Sequence, residues 1–141
     1  MPSAREVRTE LAEPARRLRG EIPDVVESFA ALQRAVMIDG ALSAKVKELI
    51  ALAIGATKQC DGCVAAHGRG AARQAATEAE VAEAMGVVIL MNGGPGTVWG
   101  TRAQAAYREF ADSGALHGST AESPRVTSGR ELRSGSVGRA A

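Results

Sequence analysis

An all-α domain is the fold this chain predicts, and three observations carry that expectation. Aromatic residues make up only 3% of a sequence that is 45% hydrophobic, so alanine, leucine and valine must do most of the packing. Closely spaced helices suit that composition better than a sheet, which draws on β-branched and aromatic side chains. Apolar residues recur at helical spacing, and no segment alternates as a strand would. A length of 141 residues fits one domain with a proper core and is short for two. The expected architecture is a compact domain of about five to six helices over residues 1–112, followed by a flexible tail over 113–141.

Residues 4–19 are heavily charged and contain Pro14, which predicts a broken or short first helix. Pro23 and Asp24 open a cleaner one, with Val25, Phe29, Leu32 and Val36 at helical spacing and Asp39-Gly40 as its stop. Ser43 is placed to cap a third helix running to about Lys58. Val46, Leu49, Ile50, Ala53 and Thr57 share one of its faces, and Leu49–Ala56 is apolar all round, as in a central buried helix. Glu48 is the one acid on the face it shares with Ala51, Leu52 and Gly55, and Lys45, three residues back, is a candidate surface partner for it.

A segment of small residues from position 60 to about 75 follows, including Ala65, Ala66, Gly68, Gly70, Ala71 and Ala72. Neighbouring elements can approach such a helix closely. Thr77 with Glu80 reads as a capping box, starting a helix that carries Val81, Met85 and Val88. Asn92-Gly-Gly-Pro-Gly96 ends it, and Trp99, Ala103, Ala106, Tyr107 and Phe110 line the core face of a last helix. Trp99, Tyr107, Met85 and Met91 read as core residues. From Ser113 onward glycine, serine and arginine dominate, too few apolar groups to offset the entropy of ordering, and His117 falls in that stretch.

A net charge of +1, with no basic stripe interleaved with aromatics, argues against nucleic acid and against an anionic membrane surface as partners. No apolar run approaches the roughly 18 residues of a membrane span, and the first 13 residues mix arginine and glutamate without the apolar centre of a signal peptide. The expected location is the cytoplasm, where a lone Cys-x-x-Cys is more often catalytic or metal-binding than a structural disulfide.

The chain holds two cysteines, in Cys60-Asp-Gly-Cys63, with His67 four residues beyond the second. If Cys60 opens a helix, all three share a face. A free thiol ionises near pH ~8.5, and only the thiolate attacks well. A helix start supplies backbone N–H groups and the positive end of the dipole near both sulfurs. His67 can take the Cys63 proton, and Glu48 on the preceding helix can orient the imidazole. Attack by Cys63 on a peroxide would leave a sulfenic acid for Cys60 to condense with. The competing readings are two buried cysteines that simply pack, and a metal site with Cys60, Cys63, His67 and Glu48 or water as ligands. A structural zinc site usually draws on two separated ligand pairs, and no second Cys/His pair exists here. Haem attachment is disfavoured because Val64, not histidine, follows Cys63.

The combined pattern is Leu42-Ser43, then Lys47-Glu48-Leu49-Ile50-Ala51-Leu52-Ala53, Cys60-Asp-Gly-Cys63, His67, the Thr77–Glu80 cap and the Gly93-Gly94-Pro95 break. It resembles the carboxymuconolactone decarboxylase-like superfamily, and more closely its alkylhydroperoxidase D-like branch, over about residues 23–111. The resemblance implies an all-helical fold assembled as a homotrimer or homohexamer. It implies Cys63 as the peroxide-attacking cysteine, Cys60 as the resolving one, and His67 with Glu48 as the proton relay. It also implies a hydroperoxide substrate, no bound cofactor, and re-reduction by an external thiol donor such as a lipoyl-bearing protein. One position departs from the pattern: the best-characterised peroxidases of the branch carry a relay histidine just before the second cysteine, where this chain has Gly62. That bears on peroxidase efficiency and leaves dithiol–disulfide cycling intact. The alternatives are a carboxymuconolactone decarboxylase-like enzyme with His67 as base, and a non-catalytic metal-binding or redox-responsive protein.

Overall fold

The computed structural model describes residues 2–118. Six helices follow in order: α1 (Ala4–Glu21), α2 (Pro23–Val36), α3 (Ala44–Thr57), α4 (Asp61–Arg73), α5 (Glu78–Asn92) and α6 (Gly94–Gly118). Among the described residues there is no strand, as the composition predicts.

The expected punctuation is present. Ser43 Oγ accepts from the Val46 N–H at the start of α3. Thr77 and Glu80 form the reciprocal capping box of α5, which satisfies two backbone donors that a helix start leaves open. Pro23 sits at the first position of α2, where its missing N–H costs nothing.

Helices α3 to α6 enclose the core, and α1 lies along α4. Leu52 and Val81 are its largest fully buried side chains, with Val64, Met85, Val88, Ala103, Ala106 and Tyr107 packed around them. Each large apolar side chain buried this way is worth ~1.5–3 kcal/mol relative to exposure. The Tyr107 hydroxyl donates to the Ala76 carbonyl, so its polar end is satisfied inside the core.

Four sequence expectations are corrected. Helix α1 is continuous through Pro14. The proline removes one backbone donor, but the Glu10 residue left with a spare carbonyl is exposed, where water can serve it. The start of α1 is held firmly: a Ser3–Glu6 capping box closes it, and the Glu109 carboxylate accepts from the Ala4 and Arg5 N–H groups. Second, α3 is buried on one side only. Leu52, Gly55 and Ala56 face the core, while Ile50 and Ile54 are about half exposed. Third, Met91 is exposed rather than core. Fourth, Lys45 pairs with Glu80, at 2.6 Å, and leaves Glu48 to another partner.

Helix α2 has the predicted spacing but no cover. Val25, Phe29, Leu32 and Val36 are all exposed, because among the described residues α2 packs only against α1. Its C-terminus is tied to α3 by Lys47, whose ammonium donates to the Val36 and Ile38 carbonyls. At the other end of the chain, α6 continues past residue 112 to Gly118, and the rest of the expected tail, 119–141, lies outside the described residues. Among the described residues no helix is long and apolar enough to cross a membrane.

Candidate functional site

The site forms where α3 turns into α4. Helix α3 ends at Thr57, and the chain reverses through Lys58 and Gln59. Gln59 takes a left-handed conformation, φ 54°, and the Cys60 N–H donates back to the Gly55 carbonyl. This short turn lays the start of α4 against the second half of α3. Gly55 lets the two helices close up: a Cβ there would sit 3.1 Å from Cys63 Cβ, tighter than ordinary contact.

Cys60 is the N-cap of α4, in extended conformation, and its Sγ accepts from the Cys63 N–H at 3.2 Å. A sulfur therefore does here what serine or aspartate does at most helix starts. Cys60 and Cys63 are joined by a disulfide, with their Cα atoms 5.2 Å apart. Both are half-buried. Between them, Asp61 is 3.7 Å from the Arg102 guanidinium of α6, which also stacks on Trp99, so the acid beside the sulfurs has a counter-charge.

His67 lies one turn beyond Cys63, which puts the two side chains on the same stripe of α4. Its Nδ1 is 2.8 Å from Glu48 Oε2 across the α3–α4 contact. The side chains are 23% and 16% exposed, so the pair is largely withdrawn from water. A carboxylate on Nδ1 fixes the ring orientation and leaves Nε2 as the nitrogen able to accept a proton.

The Glu48 carboxylate fits because residue 70 has no side chain. A Cβ on Gly70 would lie 2.3 Å from both Glu48 Cδ and Oε2. Glu48 also lines a groove of about 460 Å³ between α2 and the α3–α4 pair, together with Gln33, Met37 and Arg73.

The structure thus brings together all four residues singled out in the sequence: Cys60 and Cys63 as a disulfide, and His67 with Glu48 as a hydrogen-bonded pair. The His117 side chain lies outside the described residues. In the sequence Gly70 is legible only as part of a small-residue pattern and Gly55 only as a residue on the face of Glu48; which carboxylate or sulfur each accommodates follows from helix packing. Leu11 of α1 had no signal at all. Its Cδ1 would be 3.2 Å from a Cβ on Gly62, so the first helix lies against one of the two residues between the cysteines. Among the described residues, no group of three or more His, Cys, Asp and Glu side chains is placed to hold a metal ion.

Comparison with known proteins agrees with this architecture. The chain is 40% identical over 85 residues to an uncharacterized protein of Cupriavidus necator, covering 60% of this chain and 75% of that one. It is 36% identical over 84 residues to an uncharacterized protein of the cox locus of Paracoccus denitrificans, covering 60% and 76%. In three dimensions it matches the crystal structure of a carboxymuconolactone decarboxylase family protein from Legionella pneumophila in its apo form. The TM-score is 0.73 at 33% identity, covering 77% of this chain and 96% of the other. The model of the carboxymuconolactone decarboxylase family matches residues 23–106, from the start of α2 to the middle of α6 and across all four site residues. With that match spanning more than half of the chain, and with the all-helical fold shared by a solved member, this protein belongs to the carboxymuconolactone decarboxylase family.

Proposed function

We propose that the protein is a thiol-dependent oxidoreductase of the alkylhydroperoxidase D-like branch, cycling Cys60 and Cys63 between dithiol and disulfide at the expense of an organic hydroperoxide. One observation carries the reading: the Cys60–Cys63 disulfide sits at the start of α4 with His67 one turn on, held by Glu48.

In the reduced protein, His67 accepts the Cys63 proton. The thiolate attacks the distal peroxide oxygen and the O–O bond breaks. The alcohol leaves with the proton returned from His67, and Cys63 is left as a sulfenic acid. The Cys60 sulfur then displaces hydroxide, which leaves as water, and the disulfide closes. An external dithiol, for which a lipoyl-bearing protein is our proposed source, reopens it by two thiol–disulfide exchanges and is itself oxidised. When the donor attacks Cys63, Cys60 departs as a thiolate that already receives the Cys63 N–H at the positive end of α4. A cytoplasmic setting suits this cycle, since thiol pools there keep dithiols reduced.

The uncovered apolar stripe of α2, with Ile50 and Ile54 of α3 also exposed, supports a homo-oligomer, a trimer or hexamer, as the working form. The decisive experiment mixes reduced protein with an organic hydroperoxide and follows both thiols. Consumption of two thiols with formation of the intramolecular disulfide is the expected result, abolished by Cys63→Ser. Thiols left intact under excess peroxide would remove the proposal.

The His67–Glu48 pair does not itself need sulfur, and it favours a second reading. His67 would be the base of a decarboxylase-like reaction on a small lactone or carboxylate. That reading predicts a harmless Cys60→Ser and a damaging His67→Ala.

A further inference from the structure

The family match begins at residue 23, so α1 lies wholly outside it. Helix α1 is nevertheless packed along α4 and forms one wall of a trough that reaches the cysteine turn. Arg8, Leu11, Ala12, Arg19 and Gly62 line a groove of about 610 Å³, Gly62 being the residue just before Cys63. It runs on into a second groove, of about 460 Å³, where Arg8 and Ala12 meet Arg69 of α4.

The charge of this trough is one-sided. Arg8 is exposed, and partial desolvation along the groove and then the Arg69 guanidinium hold it below the usual arginine range. Two guanidinium groups near each other repel, and among the described residues no carboxylate pairs with either of them. Three of the neighbouring cations are engaged elsewhere: Arg5 donates to the Glu109 carbonyl, and Arg16 and Arg17 pair with Glu13. Arg8 and Arg69 line the same groove, and a carboxylate bound between them would convert the repulsion into two attractive contacts.

We propose that Arg8 and Arg69 form a carboxylate-binding site that gives the Cys60–Cys63 dithiol a preference for small organic acids bearing the reactive oxygen or sulfur. The carboxylate docks between the two guanidinium groups, and the body of the molecule lies along Leu11 and Ala12 toward Gly62. Gly62 puts no side chain into that end of the trough, where Leu11 Cδ1 lies 3.2 Å from the place a Cβ would take. This rests on the redox reading for its biological meaning, but the site can be tested without any peroxidase activity.

Two disulfide probes suffice, the anionic dithiobis(nitrobenzoate) and a neutral dipyridyl disulfide. Either reacts with a reduced dithiol in the same way. One thiolate attacks the probe's S–S bond and releases one aromatic thiolate; the second thiolate displaces the other half and closes the protein disulfide. The readout is the ratio of anionic to neutral rate constants, compared with that of an unfolded Cys-Asp-Gly-Cys peptide. The wild-type ratio is expected to exceed the peptide's by about tenfold at low salt, and to fall as salt is raised. Arg8→Gln and Arg69→Gln should each lower the ratio about threefold, while Arg8→Lys retains more of it. Circular dichroism checks that each variant is folded. A ratio equal to the peptide's, ratios unmoved in both glutamine variants, or a dithiol that neither probe reaches would each overturn the proposal. Failure of the redox reading shows separately, as thiols that react with both probes but not with hydroperoxide.

Discussion

Glu48 Oε2 lies 2.8 Å from His67 Nδ1, joining two helices whose sequences are separated by the cysteine turn. The contact exists because the turn through Gln59 is short and because Gly70 leaves room for the carboxylate. It orients the only described histidine side chain on the stripe of α4 that carries Cys63.

The first prediction follows from that pair. Glu48→Gln should slow hydroperoxide consumption roughly 10- to 100-fold, with the fold unchanged by circular dichroism. His67→Ala should do at least as much and also raise the pH at which Cys63 becomes reactive. Alkylation rate against pH, in the reduced protein, measures this. In the wild type the reactive thiol should ionise below the ~8.5 of free cysteine, and identical profiles in the two proteins would argue against the relay.

A methyl group at position 70 tests the same contact from the other side. Gly70→Ala forces the Glu48 carboxylate away, since Cβ would otherwise stand 2.3 Å from it. Activity should fall about as far as in Glu48→Gln. Stability should change little, because the displaced group is the end of a flexible side chain and alanine gains up to ~1 kcal/mol of helix propensity over glycine. In a Glu48→Ala background the obstruction is gone, and Gly70→Ala should stabilise by close to that amount in urea denaturation. A double variant no more stable than Glu48→Ala would sink this account of Gly70.

These two sites show how unevenly the sequence disclosed itself. The cysteines, His67 and Glu48 carry chemistry in their side chains, and their spacing alone suggested a unit. Gly70 and Leu11 carry none, and matter only through what they stand next to.

The acid limb of stability should involve Glu80. Its carboxylate is held below the usual glutamate range first by Lys45 and then by the Thr77 N–H. A depressed folded value means the contribution is complete above the unfolded value near ~4.3 and is lost as pH falls through the folded one. Wild-type thermal stability should therefore drop on going from about pH 5 to pH 3, and Glu80→Gln should flatten that drop. Parallel curves for the two proteins would contradict it.

Assembly is testable on α2. Phe29 is 67% exposed at the centre of the stripe formed by Val25, Leu32 and Val36. Light scattering should report a mass several times that of the chain for the wild type, and a smaller one for Phe29→Glu. A wild-type monomer would overturn the homo-oligomer.

By itself, the sequence determined the helical class, the limits of most helices and the four candidate site residues. Those properties are written in short-range signals: apolar spacing, capping residues, glycine and proline breaks, and reactive side chains a fixed number of residues apart. Tertiary structure alone decided which faces are covered. Helix α2 has the pattern of a core helix and none of the cover, whereas α1, with Pro14 inside it, runs unbroken along α4 and places Arg8 and Leu11 beside the cysteine turn. The physical reason is that burial depends on which element lies opposite, and an isolated helix does not encode its neighbour.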